Sequence, residues 1–169
     1  MPGSRLQEIS RILPVMLEIK PKFPRSRFVI AGAPSISAEV YDEIIGNADI
    51  TVLRGKTYDL LAAADAAVVT SGTATLETAL FGVPQVVCYA SNPLSVRIAR
   101  FLVNVKYISL VNLIMDRPVL LELIQNDLKA EAVAAELRLL LDDAKRRAQM
   151  KADYLELNAK LGTAGASKR

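Results

Sequence analysis

AAVVTSGTATLETALFGVPQVVCY, residues 66–89, is the stretch whose reading decides the fold. Ala66 to Thr70 is a run of small and β-branched apolar residues without alternation, the pattern of a strand covered by helices on both faces. Ser71, Gly72 and Thr73 then supply a tight turn, and Ala74 to Phe81 reads as a helix of about two turns. Gly82 is placed to stop that helix at a C′ position, and Pro84 prevents its continuation. Gln85 to Tyr89 is again a buried-strand run. A strand, loop, helix and strand in this order belong to a parallel sheet.

In such a unit the helix start opens onto the crevice at the carboxyl end of the sheet. Its unpaired amides, with the hydroxyls of Ser71 and Thr73, suit an anion, most often a phosphate. Glu77 stands one turn inside the helix, where a carboxylate beside a diphosphate is repelled unless it meets hydrogen-bond donors. A ribose with two hydroxyls is such a partner. The alternative assignment is purely local: Ser71 and Thr73 cap the helix, and Glu77 favours its positive end by about 0.3–1 kcal/mol.

A chain of 169 residues fits one domain, 1–169, with a sizeable core. Apolar residues make up 51%, yet no run reaches the about 18 uncharged apolar residues of a membrane span, so a soluble protein without a signal peptide is expected. Cys88, the only cysteine, falls in a buried strand and reads as core filler, which fits a reducing compartment. Histidine is absent and no Asp-x-Asp pair occurs, so no metal and no cofactor is expected. The net charge of +3, without aromatic residues among the basic runs, argues against nucleic acid and leaves an acidic ligand open.

Met1 to Arg5 has the turn chemistry of a strand-to-helix loop, but no strand precedes it, so the chain is expected to be a fragment. Leu6 to Phe23 reads as helix with Pro14 inside, which predicts a kink or two short helices with Pro14 in the first turn of the second. Arg27–Ala31 is a strand, Ser37–Ile45 a helix and Ile50–Leu53 a strand, with Thr57 capping a helix to Ala64. Repeated crossovers of this length predict an α/β fold with a doubly wound, mainly parallel sheet. Farther on, Pro93 to Leu102 reads as a helix bearing Arg97 and Arg100 on one face. With Lys106 they form a basic region without acids, either a solvated face or one that attracts phosphate groups or an anionic membrane surface. Tyr107–Leu110 is a predicted strand, and Val111, Asn112 and Leu113 a loop that puts Asn112 at the crevice. From Lys129 two amphipathic helices follow, the first on Val133, Leu137, Leu140 and Leu141 and the second on Met150, Tyr154, Leu157 and Leu161. Lys145, Arg146 and Arg147 between them read as a solvated face, and residues from Gly162 onward as a loose tail.

Five segments, PGSRLQEI, TSGTATLETALFGVPQVVCY, NPLSVRIARFLV, YISLVNLI and LELIQ, taken in order, closely resemble the second half of the lipid-A-disaccharide synthase family. The resemblance covers nearly the whole chain. It implies the C-terminal, Rossmann-like half of a two-domain GT-B glycosyltransferase with a helical tail. That family transfers 2,3-diacylglucosamine, with inversion, from its UDP derivative to 2,3-diacylglucosamine 1-phosphate. On this resemblance Gly72 and Thr73 lie against the diphosphate, Glu77 takes the ribose hydroxyls, Arg5 neutralises phosphate charge and Asn112 contacts the donor. The acceptor lipid and the general base then belong to an N-terminal domain that this chain lacks, and the last helix crosses back to it. The setting implied is cytoplasmic and peripheral to the inner membrane; a homodimer is left open. One departure stands out: Leu110-Val111 precedes Asn112 where the family leads one to expect proline before the asparagine.

The alternatives are another UDP-sugar enzyme of this architecture, such as the peptidoglycan N-acetylglucosaminyltransferase or a UDP-sugar epimerase, or a nucleotide-binding module without catalysis. Neither Gly-x-Gly-x-x-Gly nor Gly-x-x-x-x-Gly-Lys-Ser/Thr occurs, which argues against NAD and ATP sites.

Overall fold

A computed structural model describes residues 1–90 and 106–162 of the chain. The elements are α1 (Leu6–Leu17), β1 (Val29–Gly32), α2 (Ala38–Ile45), β2 (Thr51–Arg54), α3 (Thr57–Ala63), β3 (Ala67–Thr70), α4 (Thr73–Leu80), β4 (Gln85–Tyr89), α5 (Leu110–Met115), β5 (Glu122–Ile124), α6 (Ala130–Asp142) and α7 (Ala144–Leu161). Short 3-10 turns, Lys20–Lys22 and Gln125–Asp127, follow α1 and β5.

Among the described residues all strand pairs are parallel. They form two ladders, β1-β2 and β3-β4-β5, with Val69 opposite Val87 and Cys88 opposite Leu123. Strand β4 is the centre, because its residues alternate between two apolar layers as the pleat requires. Val86 and Cys88 pack with Ile12 of α1 and with Val133 and Leu137 of α6. Val87 points the other way, into Ala79 of α4, Val111 and Met115 of α5, and Met150, Tyr154 and Leu157 of α7. Helices therefore cover both faces, and the fold is α/β and Rossmann-like. A smaller cluster of Ile9, Leu13, Ile30 and Tyr41 fastens α1 and α2 to β1.

The local signals explain most boundaries. Gly82 takes φ 70° just beyond α4, the left-handed C′ position, and Pro84 follows it. The two closing helices bury the predicted residues Val133, Leu137, Leu140, Met150, Tyr154 and Leu157. Cys88 is wholly buried, and burial pushes its thiol up to about 12, so it is core rather than nucleophile.

Four local expectations are corrected. α1 runs through Pro14 as one helix to Leu17, so the alternative of two short helices is not what forms. Thr57 is the first residue of α3, not its cap; Lys56 holds that place. Tyr107–Leu110 is not a strand: the Ser109 side chain accepts from the Asn112 amide and starts α5, so the Val111–Leu113 segment is helical rather than loop. Finally, Arg146 and Arg147 are not simply solvated, since Arg146 reaches Glu136 at 2.9 Å and Arg147 donates to the Leu141 carbonyl at 2.9 Å. Both tie α7 back to α6.

One buried polar residue crosses the layers. Gln85, fully buried at the start of β4, donates from Nε2 to the Thr75 carbonyl in α4 at 2.9 Å and to the Tyr154 hydroxyl in α7 at 3.2 Å.

Candidate functional site

Loops at the carboxyl ends of the strands converge. The Thr70 amide at the end of β3 donates to the Met1 carbonyl at 2.9 Å, which brings the Pro2–Arg5 turn beside the Ser71–Gly72 turn. Ser35, in the loop after β1, donates from its hydroxyl to the Ser4 carbonyl at 3.3 Å. Two helices, α1 and α4, start at this place.

The start of α4 has no side-chain cap, so neither Ser71 nor Thr73 does the local capping job. Gly72 is the N-cap, with φ 146° and ψ −162°, a region open in practice to glycine alone. A Cβ on Gly72 would meet nothing within 4 Å, so the turn faces open space. Its carbonyl is held from inside by the Thr75 amide at 3.2 Å and the Thr75 hydroxyl at 2.8 Å. Ser71 spends its proton on the Ile108 carbonyl at 2.9 Å. An anion here is therefore offered the first amides of α4 and the exposed Thr73 hydroxyl, with Ser71 shaping the turn.

Arg5 caps α1 and pairs with Glu8 at 3.3 Å, while the Glu8 carboxylate also accepts from the Ser4 and Arg5 amides. Its guanidinium side is 82% exposed, so the pair is worth at most about 1 kcal/mol and is easily exchanged for a more strongly charged partner. Glu77 is half-buried one turn below Thr73, on the same helix face. The Tyr58 hydroxyl stands 3.5 Å from its Oε1, and the Tyr58 ring stacks on Phe81 with centroids 5.4 Å apart. No sequence signal pointed to this aromatic pair.

Asn112 is 1% exposed. Its amide is engaged by the protein: Oδ1 accepts from the Leu120 amide at 2.8 Å, and Nδ2 donates to the Leu120 carbonyl and to Glu122 Oε1, both at 2.9 Å. Glu122, which sequence reasoning missed, is the hub of this region. Its carboxylate also accepts from the Ile108 amide, the Ser109 amide and the Ser109 hydroxyl at 3.0, 2.9 and 2.7 Å. Glu122 thus holds the Ile108 carbonyl that receives the Ser71 proton.

Of the basic region, Arg97 and Arg100 lie outside the described residues. Lys106 has an acidic partner after all, Asp116 at 3.3 Å. Among the described residues no group of three or more Cys, Asp or Glu could hold a metal ion, and no helix is long and apolar enough to cross a membrane.

Parallel strands with helices on both faces, and turns gathered at the carboxyl ends of the strands, give a Rossmann-like domain with a crevice at that end. A family model described as Lipid-A-disaccharide synthetase matches residues 1–169. Curated relatives called lipid-A-disaccharide synthase include those of Syntrophus aciditrophicus, 41% identical over 100% of this chain and 46% of the relative, and Nitrosococcus oceani, 39% identical over 99% and 45%. That of Geobacter metallireducens is 36% identical over 99% of this chain and 45% of its own. The chain belongs to the lipid-A-disaccharide synthase family. It spans less than half the length of these relatives. The match favours neither the peptidoglycan transferase nor the epimerase.

Proposed function

We propose that this chain is the nucleotide-holding half of a glycosyltransferase of lipid A biosynthesis, and that it binds the UDP part of UDP-2,3-diacylglucosamine. The observation that carries this reading is the uncapped start of α4 behind Gly72, whose turn faces open space. The diphosphate lies against Gly72, Thr73 and the first amides of α4, and Arg5 leaves Glu8 to meet its charge. Glu77 accepts from the ribose hydroxyls, with Tyr58 beside it. Asn112 acts behind the turn as a positioning residue, through Glu122 and Ile108. The acceptor, 2,3-diacylglucosamine 1-phosphate, and the general base belong to the other half of the full-length relatives, and the transfer inverts the donor anomer. A lipid donor and a lipid acceptor favour a position against the inner face of the inner membrane.

Calorimetric titration with UDP, ADP and NAD tests the site, with UDP expected to bind best. Glu77→Ala is expected to cost about 10- to 100-fold in UDP affinity with an unchanged melting temperature, the weight of a charged hydrogen-bond acceptor of roughly 1.5–3 kcal/mol. Equal affinity in variant and parent removes Glu77 from the site.

Gly72→Val is expected to cost both binding and some folding. Valine cannot hold φ 146° without strain, about 1–3 kcal/mol, and its branches fill the space where phosphate approaches. UDP affinity should fall at least about tenfold, or 1.4 kcal/mol. A folded valine variant that binds UDP like the parent would put the phosphate elsewhere.

A further inference from the structure

The aromatic pair beside Glu77 is placed by two helices. Thr73, Glu77 and Phe81 follow one another at four-residue steps along α4 and its end, so they line one face, and Tyr58 in the first turn of α3 lies across the last two. Its hydroxyl is 3.5 Å from Glu77 Oε1, and its ring stacks on that of Phe81 with centroids 5.4 Å apart and 19° between the planes. Both rings face solvent, Tyr58 58% and Phe81 43% exposed, so the stack is not part of the core.

The polar ends are unsaturated. An ionised carboxylate has about four acceptor sites, and among the described residues the Tyr58 hydroxyl is the one hydrogen-bond partner of the Glu77 side chain. Their separation of 3.5 Å exceeds the about 2.7–2.8 Å of a well-made O–H···O bond, so the two oxygens are close enough to share a third hydroxyl yet do not satisfy each other. They are complementary: the carboxylate only accepts, whereas the phenol also donates. A vicinal diol, with two donors and two acceptors, answers both. The stack on Phe81 fixes where the phenol stands, since a tyrosine ring has few rotatable bonds and one face is already held.

We propose that Tyr58 is a specificity-determining residue of the nucleotide site, clamping the vicinal diol of a ribose together with Glu77 while Phe81 backs its ring. The inference rests on the reading that Glu77 takes the ribose hydroxyls. Donation runs from the diol to the Glu77 carboxylate and from the Tyr58 hydroxyl to a diol oxygen. A sugar without these hydroxyls leaves both groups unpaired, and a site built in this way rejects it.

The test measures, by calorimetry on the 169-residue chain, the affinities for UDP and for 2′,3′-dideoxy-UDP. The parent is expected to favour UDP by about tenfold or more. Tyr58→Phe keeps the stacked ring and removes only the hydroxyl; it should cut that preference at least about threefold, through weaker UDP binding, with the dideoxy affinity unchanged. A preference equal to the parent's overturns the proposal. So does an equal loss for both nucleotides, which is what a ring that merely packs would give. Glu77→Ala, measured alongside, separates this inference from the reading beneath it. A collapsed preference in Glu77→Ala with an intact one in Tyr58→Phe strikes Tyr58 and leaves the ribose on Glu77. An intact preference in both variants, or none in the parent, removes the ribose from Glu77 and overturns this inference with it.

Discussion

Mixed with UDP-2,3-diacylglucosamine and 2,3-diacylglucosamine 1-phosphate, the 169-residue chain by itself is expected to form no detectable disaccharide while still binding UDP. The contacts proposed for the nucleotide all fall within it, on the turns after Met1 and β3 and on α4. The chain has no histidine to serve as a base, and it spans less than half the length of its relatives. A positioned base contributes about 10²–10⁴-fold, and holding two substrates together is worth effective concentrations of roughly 10⁵–10⁸ M. Losing both leaves no measurable rate. The assay compares this chain with and without the separately produced remainder of a relative. Disaccharide formed by the chain alone would make a carboxylate here, Glu77 or Asp116, the base and would sink the proposed division of labour.

Glu122→Ala is expected to be the most damaging single change near the crevice. It strips the acceptor from the Ile108 and Ser109 amides, the Ser109 hydroxyl and the Asn112 amide at once. Ser109 and Asn112 are almost fully buried, so water cannot easily replace what is lost. At about 1–3 kcal/mol for each buried donor left unpaired, a loss of roughly 3–5 kcal/mol follows. Because the Ile108 carbonyl anchors Ser71, UDP affinity should fall in the fraction that still folds. Urea unfolding of parent and variant reads the stability directly; equal midpoints would show that the carboxylate holds nothing.

The central unit was legible because its signals agree: two uninterrupted apolar runs, a glycine and a proline at the right distance, and helix formers between. β5 was not legible, since it is only three residues long and opens on Glu122, which breaks the pattern of a buried run. Nor was α5: Tyr107 to Leu110 is rich in strand formers, and Asn112 resembles a turn residue until its partners eight and ten residues onward are seen. For the same reason the aromatic support of Glu77 was invisible, because Tyr58 and Phe81 meet only when α3 and α4 are packed. Pattern reveals which face a residue turns inward, but which side chains saturate one another depends on tertiary neighbours.

Gln85 has a mechanical meaning. Its one amide nitrogen couples Tyr154 on the closing helix to Thr75, and Thr75 grips the Gly72 carbonyl with both amide and hydroxyl. The three residues form a linkage rod from α7 to the Gly72 turn. Torque applied to α7 would be delivered to Gly72 within two side chains, so the last helix is a handle on the turn proposed to hold the nucleotide.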